Sequence, residues 1–177
     1  LRRLGHGAVG TTFAGVRESD GQPVAIKEML VRRLEDFKAH DLFTREAGVL
    51  RMLDHPAIPR YYDDFVAGQG RHTGLYLVTE LIAGHTLEHE LTTKRHSQKE
   101  VLQIVRELCD VLIYLHGLAP PVVHRDIKLS NVMRRDQDGP RRPGGLPSDG
   151  RLVLIDFGAV KESLRGTDGS TVAGTFG

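Results

Sequence analysis

The sequence predicts an α+β fold in two lobes, a small one of antiparallel sheet carrying one main helix and a second, mostly helical one. Three observations predict it. Strand-forming segments crowd into the first eighty or so residues and are punctuated by turn residues. One segment of helical period, 34–53, interrupts them. Past Gly84 the pattern turns helical, with Val101, Leu102, Ile104, Val105, Leu108, Cys109, Leu112 and Leu115 forming a broad apolar stripe. A chain of 177 residues suits one domain with room for two small lobes around a real core.

Taken in order, residues 1–16 and 22–30 read as two or three strands, broken by the hairpin signal Ser19-Asp20-Gly21. Helix 34–53 places Leu34, Phe37, Leu42, Phe43, Ala47, Leu50 and Leu53 near one face. It should stop before His55-Pro56, because proline disfavours helical backbone in the residue ahead of it. Tyr61–Val66 and Leu75–Leu81 read as an antiparallel pair joined by a glycine-rich turn. Ser97 and Glu100 form a capping box that starts the long helix, and Pro120-Pro121 ends the helical region. Val132-Met133 and Leu152–Ile155 read as a hairpin whose tip, about 136–150, is a polar Pro/Gly/Arg-rich surface loop.

Composition narrows the function. Hydrophobic residues make up 40% and charged residues 27%, which excludes a disordered chain. A formal charge of +1 gives no reason to expect nucleic acid or anionic lipid as a partner. The pairs Arg32-Arg33 and Arg134-Arg135 have acids nearby and read as solvated surface. The single cysteine, Cys109, cannot form an intrachain disulfide and reads as a buried packing residue on the long helix. No apolar run reaches the ~18 residues a membrane span needs. The chain opens directly on a strand and stops within a loop, so it reads as cut at both ends. A cytoplasmic location is expected, or the cytoplasmic face of a membrane if an anchor lies outside these residues.

Four motifs carry the chemistry. Gly5-His6-Gly7-Ala8-Val9-Gly10 lets backbone approach phosphates closely, because no Cβ intrudes. Val24-Ala25-Ile26-Lys27 ends an apolar strand run on an amine aimed at phosphates. His124-Arg125-Asp126-Ile127-Lys128-Leu129-Ser130-Asn131 brings together a carboxylate, an amine and an amide, and Asp156-Phe157-Gly158 adds a second carboxylate after the apolar run 152–155. In this order they supply a phosphate cover, a phosphate-pairing lysine, a hydroxyl-orienting aspartate and two ligands for a hard cation, the parts that phosphoryl transfer from a nucleotide requires.

With these motifs the chain resembles the catalytic domain of eukaryotic-type serine/threonine protein kinases. Phrases such as His55-Pro56-Ala57-Ile58-Pro59 and Asp156-Phe157-Gly158-Ala159-Val160 are similar to bacterial members. The resemblance implies a kinase small lobe over 1–82 and an incomplete large lobe over 83–177. It implies ATP and Mg²⁺ as cofactors and protein Ser/Thr hydroxyls, including the chain's own, as acceptors. Asp126 would orient the attacking hydroxyl, Lys128 would neutralise the transferred group, and Lys27 would pair with Glu46. Asn131 and Asp156 would hold Mg²⁺. Gly5, Gly7, Gly10, Thr12, Ala25, Thr79, Glu80, Ile82 and Met133 would surround the nucleotide, with backbone of Glu80 and Ile82 on the adenine edge and Met133 beneath the ring.

Leu50 would face inward with Phe157 and His124. Thr86 stands where relatives place a ribose-contacting acid. In the segment resembling an activation loop, Thr171 matches a phosphorylation position that Arg125 could pair with, Thr175 an acceptor-reading position, and Ser170 and Thr167 are weaker candidates. Asp126 and Asp156 lie 30 residues apart (156 − 126), longer than the family's usual spacing, with the surplus in the 136–150 tip. The missing remainder of the large lobe implies exposed apolar surface on the 97–116 helix and weak activity for the piece alone.

Three other readings compete. A dinucleotide-binding turn shares the glycine spacing, but it needs a helix at the third glycine and Thr11-Thr12-Phe13 is strand-like. His85-Thr86-Leu87-Glu88-His89 spells H-x-x-E-H, a zinc-peptidase pattern in which both histidines share a helix face and Glu88 is the base. In a chain with nine histidines such a pattern arises readily by chance. The last is a silent kinase-shaped scaffold, against which the presence of Lys27, Glu46, Asp126, Asn131 and Asp156 argues.

Overall fold

The structure, a computed structural model, describes residues 1–6, 10–31, 37–68, 73–136 and 152–162. Strands β1 (Arg2–His6), β2 (Thr11–Val16), β3 (Pro23–Val31), β4 (Tyr61–Ala67) and β5 (Thr73–Glu80) form an antiparallel sheet in the order β1-β2-β3-β5-β4. The β2–β3 turn falls at the expected residues. Gly21 takes φ 69°, and Asp20 accepts the Gln22 N–H at 3.2 Å, the side-chain-to-backbone bond that suits aspartate to turns. Strand β3 runs on to Val31, so Lys27 lies inside it rather than at its end. The β3 ladder to β5 continues through Val31↔Thr73 and holds it extended.

Helix α1 (Phe37–Met52) crosses the sheet and buries Phe43, Ala47 and Leu50 at helical spacing. It ends before His55-Pro56, as proline stereochemistry requires. The connection that follows is a joint between the two halves of the molecule. The Asp54 N–H donates to Tyr114 Oη at 2.9 Å, and the His55 ring packs on Tyr114 with centroids 4.8 Å apart. The Ala57 carbonyl accepts the Leu154 N–H at 2.9 Å, and the Glu80 N–H donates to the Arg60 carbonyl at 2.8 Å.

The second half departs from the sequence expectation at its start, where a strand, β6 (Gly84–Thr86), precedes helix α2 (Leu87–Thr93). Gly84 has φ 146°, and a Cβ there would stand 1.9 Å from the Arg134 carbonyl oxygen, so strand pairing overrides helical pattern here. Helix α3 (Gln98–His116) begins with the expected capping box. Ser97 Oγ accepts the Glu100 N–H at 3.3 Å, and the Glu100 carboxylate accepts the Ser97 N–H at 2.8 Å. Bonds from Lys94 and Ser97 lower the Glu100 carboxyl to about 2.

Strand β7 (Val122–Val123) pairs with β10 (Lys161–Glu162), and a 3₁₀ turn (Leu129–Asn131) leads into β8 (Val132–Arg135). Strand β8 lies between β6 and β9 (Leu152–Leu154), and the predicted hairpin pairing is observed at Val132↔Leu154 and Met133↔Val153. Its 137–151 tip lies outside the described residues.

One apolar cluster runs from Met29, Phe43 and Leu50 through Ile58 to Leu115, Leu154 and Phe157. Each fully buried side chain of this kind contributes about 1.5–3 kcal/mol. Helix α3 gives this core only Val111 and Leu115 as buried residues. Val101, Leu102, Val105 and Ile113 are 46–70% exposed, the apolar surface expected for this helix. Cys109 lies exposed with them, which corrects its expected burial: the helix buries Val111 and Leu115 instead.

The reading of Arg134-Arg135 as solvated surface is also corrected. Arg135 is buried against Glu80, and Arg134 Nε lies 3.0 Å from both Glu90 carboxylate oxygens. Among the described residues no helix is long and apolar enough to cross a membrane.

Candidate active site

Strand register brings the predicted nucleotide residues onto one face of the sheet. Thr12 pairs with Lys27 and Lys27 with Leu77, while Ala25 pairs with Ala14 and Thr79. Directly paired residues share a face, and so do residues two apart, so Thr12, Ala25, Lys27 and Thr79 stand side by side. Gly10 comes close to β3: a Cβ there would lie 2.1 Å from the Glu28 carbonyl oxygen, so only glycine fits without displacing the strand. Gly5 sits in β1 beside a register shift between Arg3 and Gly5, with open space where a Cβ would be. Gly7 lies outside the described residues.

Lys27 is the centre of the site. Its Nζ donates to both Glu46 oxygens at 2.9 Å and to Asp156 Oδ1 at 2.8 Å. The Glu46 side chain is 3% exposed, Lys27 18% and Asp156 42%, so the amine bridges a buried carboxylate and an open one. Burial works against the Lys27 charge, yet Glu46 and Asp156 outweigh it and hold the ammonium above its ordinary range. Burial pushes the Glu46 carboxyl up against the pull of Lys27. For Asp156, burial is again opposed by Lys27, and here the lysine prevails and lowers the carboxyl.

Gly158 closes this contact. A Cβ there would sit 3.3 Å from Glu46 Oε2, 3.4 Å from Asp156 Oδ1 and 3.5 Å from Lys27 Nζ. Leu50, Phe157 and His124 are all buried, with the His124 and Phe157 rings edge-on at 4.8 Å. Burial lowers the His124 pKa, disfavouring the charged ring.

The loop before β8 forms the second cluster. Lys128 Nζ donates to Asp126 Oδ2 at 2.7 Å, and Asn131 Nδ2 donates to the same oxygen and to the Asp126 carbonyl, both at 2.9 Å. The Lys128 hydrogen bond is the main cause of a lowered Asp126 carboxyl and a raised Lys128 amine. Asn131 is buried and tied to the strand ahead of Asp156, since its carbonyl accepts the Ile155 N–H at 2.8 Å. Arg125 and Asp156 adopt φ of 66° and 63°, left-handed backbone that non-glycine residues rarely take and that concentrates at functional sites. Arg125 itself is exposed.

The structure also positions the residues expected around adenine. Glu80 ends β5, Ile82 is buried just beyond it, and Met133 is half-buried in β8 opposite Thr86 and Val153. Thr86 Oγ1 accepts the His89 N–H at 3.1 Å as the cap of α2.

The H-x-x-E-H pattern does not lie on one helix face, because His85 is in β6 and the helix starts at Leu87. The two rings are 5.9 Å apart at the surface, and among the described residues no group of three or more His, Cys, Asp or Glu could hold a metal ion. Thr171 and Thr175, with Ser170 and Thr167, lie outside the described residues.

Two features were not legible in the sequence. The buried partnership of Glu80 and Arg135 joins residues 55 apart, and Tyr114 meets Asp54 across 60. No local pattern marks such pairs.

A lysine held between a buried and an open carboxylate, near a loop of aspartate, lysine and asparagine, is the arrangement expected of a protein-kinase fold. The match to the protein kinase domain over residues 1–177 agrees, and the chain belongs to that family. It is similar to serine/threonine-protein kinase B of Synechocystis sp., with 36% identity over 93% of this chain and 27% of that protein. It is also similar to serine/threonine-protein kinase PAK 1 of Mus musculus, with 30% identity over 89% of this chain and 25% of the relative. A third relative is serine/threonine-protein kinase WNK4 of Rattus norvegicus, with 32% identity over 93% and 13%. The chain spans about a quarter or less of the length of these relatives.

Proposed function

We propose that this chain carries the catalytic site of a serine/threonine protein kinase that transfers the γ-phosphoryl group of ATP to protein hydroxyls, its own Thr171 among them. The contact of Lys27 with both Glu46 and Asp156 carries the reading. It poises one cation where the α- and β-phosphates would lie and orients it from the buried side. The small lobe would comprise 1–82 and the partial large lobe 83–177.

Each residue then has a task set by its surroundings. Asp126, kept ionised by Lys128, would accept a hydrogen bond from the acceptor hydroxyl and orient its oxygen toward the γ-phosphorus. Lys128 would neutralise charge building on the transferred group. Thr12, Ala25, Thr79, Ile82 and Met133 would enclose the base, with the backbone of Glu80 and Ile82 at its edge and Gly5, Gly7 and Gly10 over the phosphates.

The donor set fits a hard divalent cation. Asn131 donates through Nδ2, which leaves its Oδ1 as an acceptor, and Asp156 offers an open carboxylate. Asn131 and Asp156 would therefore hold Mg²⁺, which when bound neutralises the phosphate oxygens. Arg125, exposed beside Asp126, would pair with a phosphate on Thr171, and Thr175 would help read the acceptor. Dependence on ATP suits the cytoplasm or the cytoplasmic face of a membrane.

The test is incorporation of labelled phosphate into a basic protein acceptor by the full protein carrying these residues. Loss of labelling with Asp126→Ala supports the assignment. Labelling that persists in this variant removes Asp126 from its role, and nucleotide binding without any transfer would favour the silent scaffold.

A further inference from the structure

The two arginines that end β8 diverge, as successive strand residues must. Arg134 turns to Glu90 on α2. Arg135 turns to the end of β5, where its Nη1 lies 2.6 Å from Glu80 Oε1, with both side chains at least nine-tenths buried. The other Glu80 oxygen accepts the Arg60 N–H at 3.3 Å, and the Glu80 N–H donates to the Arg60 carbonyl at 2.8 Å. One residue past Arg135, the Asp136 N–H donates to the Ala83 carbonyl at 2.8 Å. The segment 80–83 is thus gripped at both ends by 135 and 136, two and three residues beyond Met133.

A buried ion pair is a poor source of net stability, since apolar residues of similar size often serve as well. What this pair supplies is geometry. Its charges hold the adenine-edge backbone from behind, at a defined offset from Met133.

We propose that Arg135 is a positioning residue for the nucleotide: acting through Glu80, it fixes the backbone edge of 80–82 relative to the floor at Met133. The inference rests on the phosphoryl-transfer reading above.

The test compares the full protein with the double variant Glu80→Met/Arg135→Met and the single variant Arg135→Lys. Thermal midpoints, direct binding of trinitrophenyl-ATP displaced by ATP, and initial rates against ATP are measured. The double variant should unfold at or above the wild-type midpoint yet bind ATP roughly three- to tenfold more weakly, the scale of one misplaced hydrogen bond. Its KM for ATP should rise by a similar factor, with kcat falling by a smaller one. Arg135→Lys, which keeps the charge but loses the planar fork, should fall between.

Wild-type ATP affinity in a folded double variant overturns the inference and assigns the pair a structural role alone. If the double variant does not fold, Arg135→Lys decides: weaker ATP binding at an unchanged midpoint supports positioning, and unchanged binding overturns it. A wild-type protein that takes up no nucleotide overturns the functional reading, and this inference with it.

Discussion

Replacing Glu46 by Gln removes one charge from the centre of the site and almost no volume. Breaking a buried ion pair outright costs about 3–5 kcal/mol, because a charge is left without a partner. Here the loss should be smaller. Gln retains one acceptor oxygen for Lys27, and Asp156 Oδ1 stays 2.8 Å away on the other side. What disappears is one of the two charge-assisted bonds at 2.9 Å, a change of roughly 1.5–3 kcal/mol before the new amide finds its own partners.

Stability should therefore fall by about 1–2 kcal/mol in a urea titration followed by far-UV circular dichroism. Phosphate transfer should fall further, by roughly 10- to 100-fold. Lys27 would then swing wholly onto Asp156 and neutralise the carboxylate proposed to hold the cation. Glu46→Ala, which restores no acceptor, should show the full ~3–5 kcal/mol. A Glu46→Gln protein with wild-type stability and wild-type transfer would refute the claim that this contact organises the site.

Three further outcomes are expected. In Lys128→Met, loss of the hydrogen bond that lowers Asp126 lets its carboxyl rise toward the ordinary ~3.9, so the acid limb of kcat/KM should move to higher pH; an unmoved limb would separate the two residues. The buried His124 has a folded pKa below its unfolded value of ~6.5, so its contribution is complete above that value and lost as pH falls toward the folded pKa. Thermal midpoints should thus decline on acidification from about pH 6.5, a slope that His124→Phe should flatten. Gly10→Ala places a methyl 2.1 Å from the Glu28 carbonyl oxygen, and strand separation should lower stability by about 1–3 kcal/mol, measured by urea unfolding.

The sheet, α1 and the capping box of α3 were legible because each rests on near-neighbour chemistry. Alternation, the proline after His55 and the Ser97/Glu100 spacing act within a few residues of where they are read. The four motifs were legible for a related reason, since each packs its chemistry into a short run. Features set by partners far along the chain were not. Gly84 and Thr86 pair with β8 and make a strand where the local pattern suggests helix. Arg134 and Arg135 look solvated until Glu90 and Glu80 are brought against them. Cys109 carries an apolar neighbourhood in sequence, but which edge of a helix is covered depends on what packs against it.

The fixed segment after α1 has a mechanical consequence. Tyr114, Leu154 and Glu80 hold residues 54–60 at three points, so the carboxyl end of α1 serves as a fulcrum. Glu46 stands seven residues from Leu53, a lever arm of about 10 Å at 1.5 Å per residue. A tilt of only about ten degrees about that fulcrum would carry its carboxylate ~2 Å, enough to part it from Lys27.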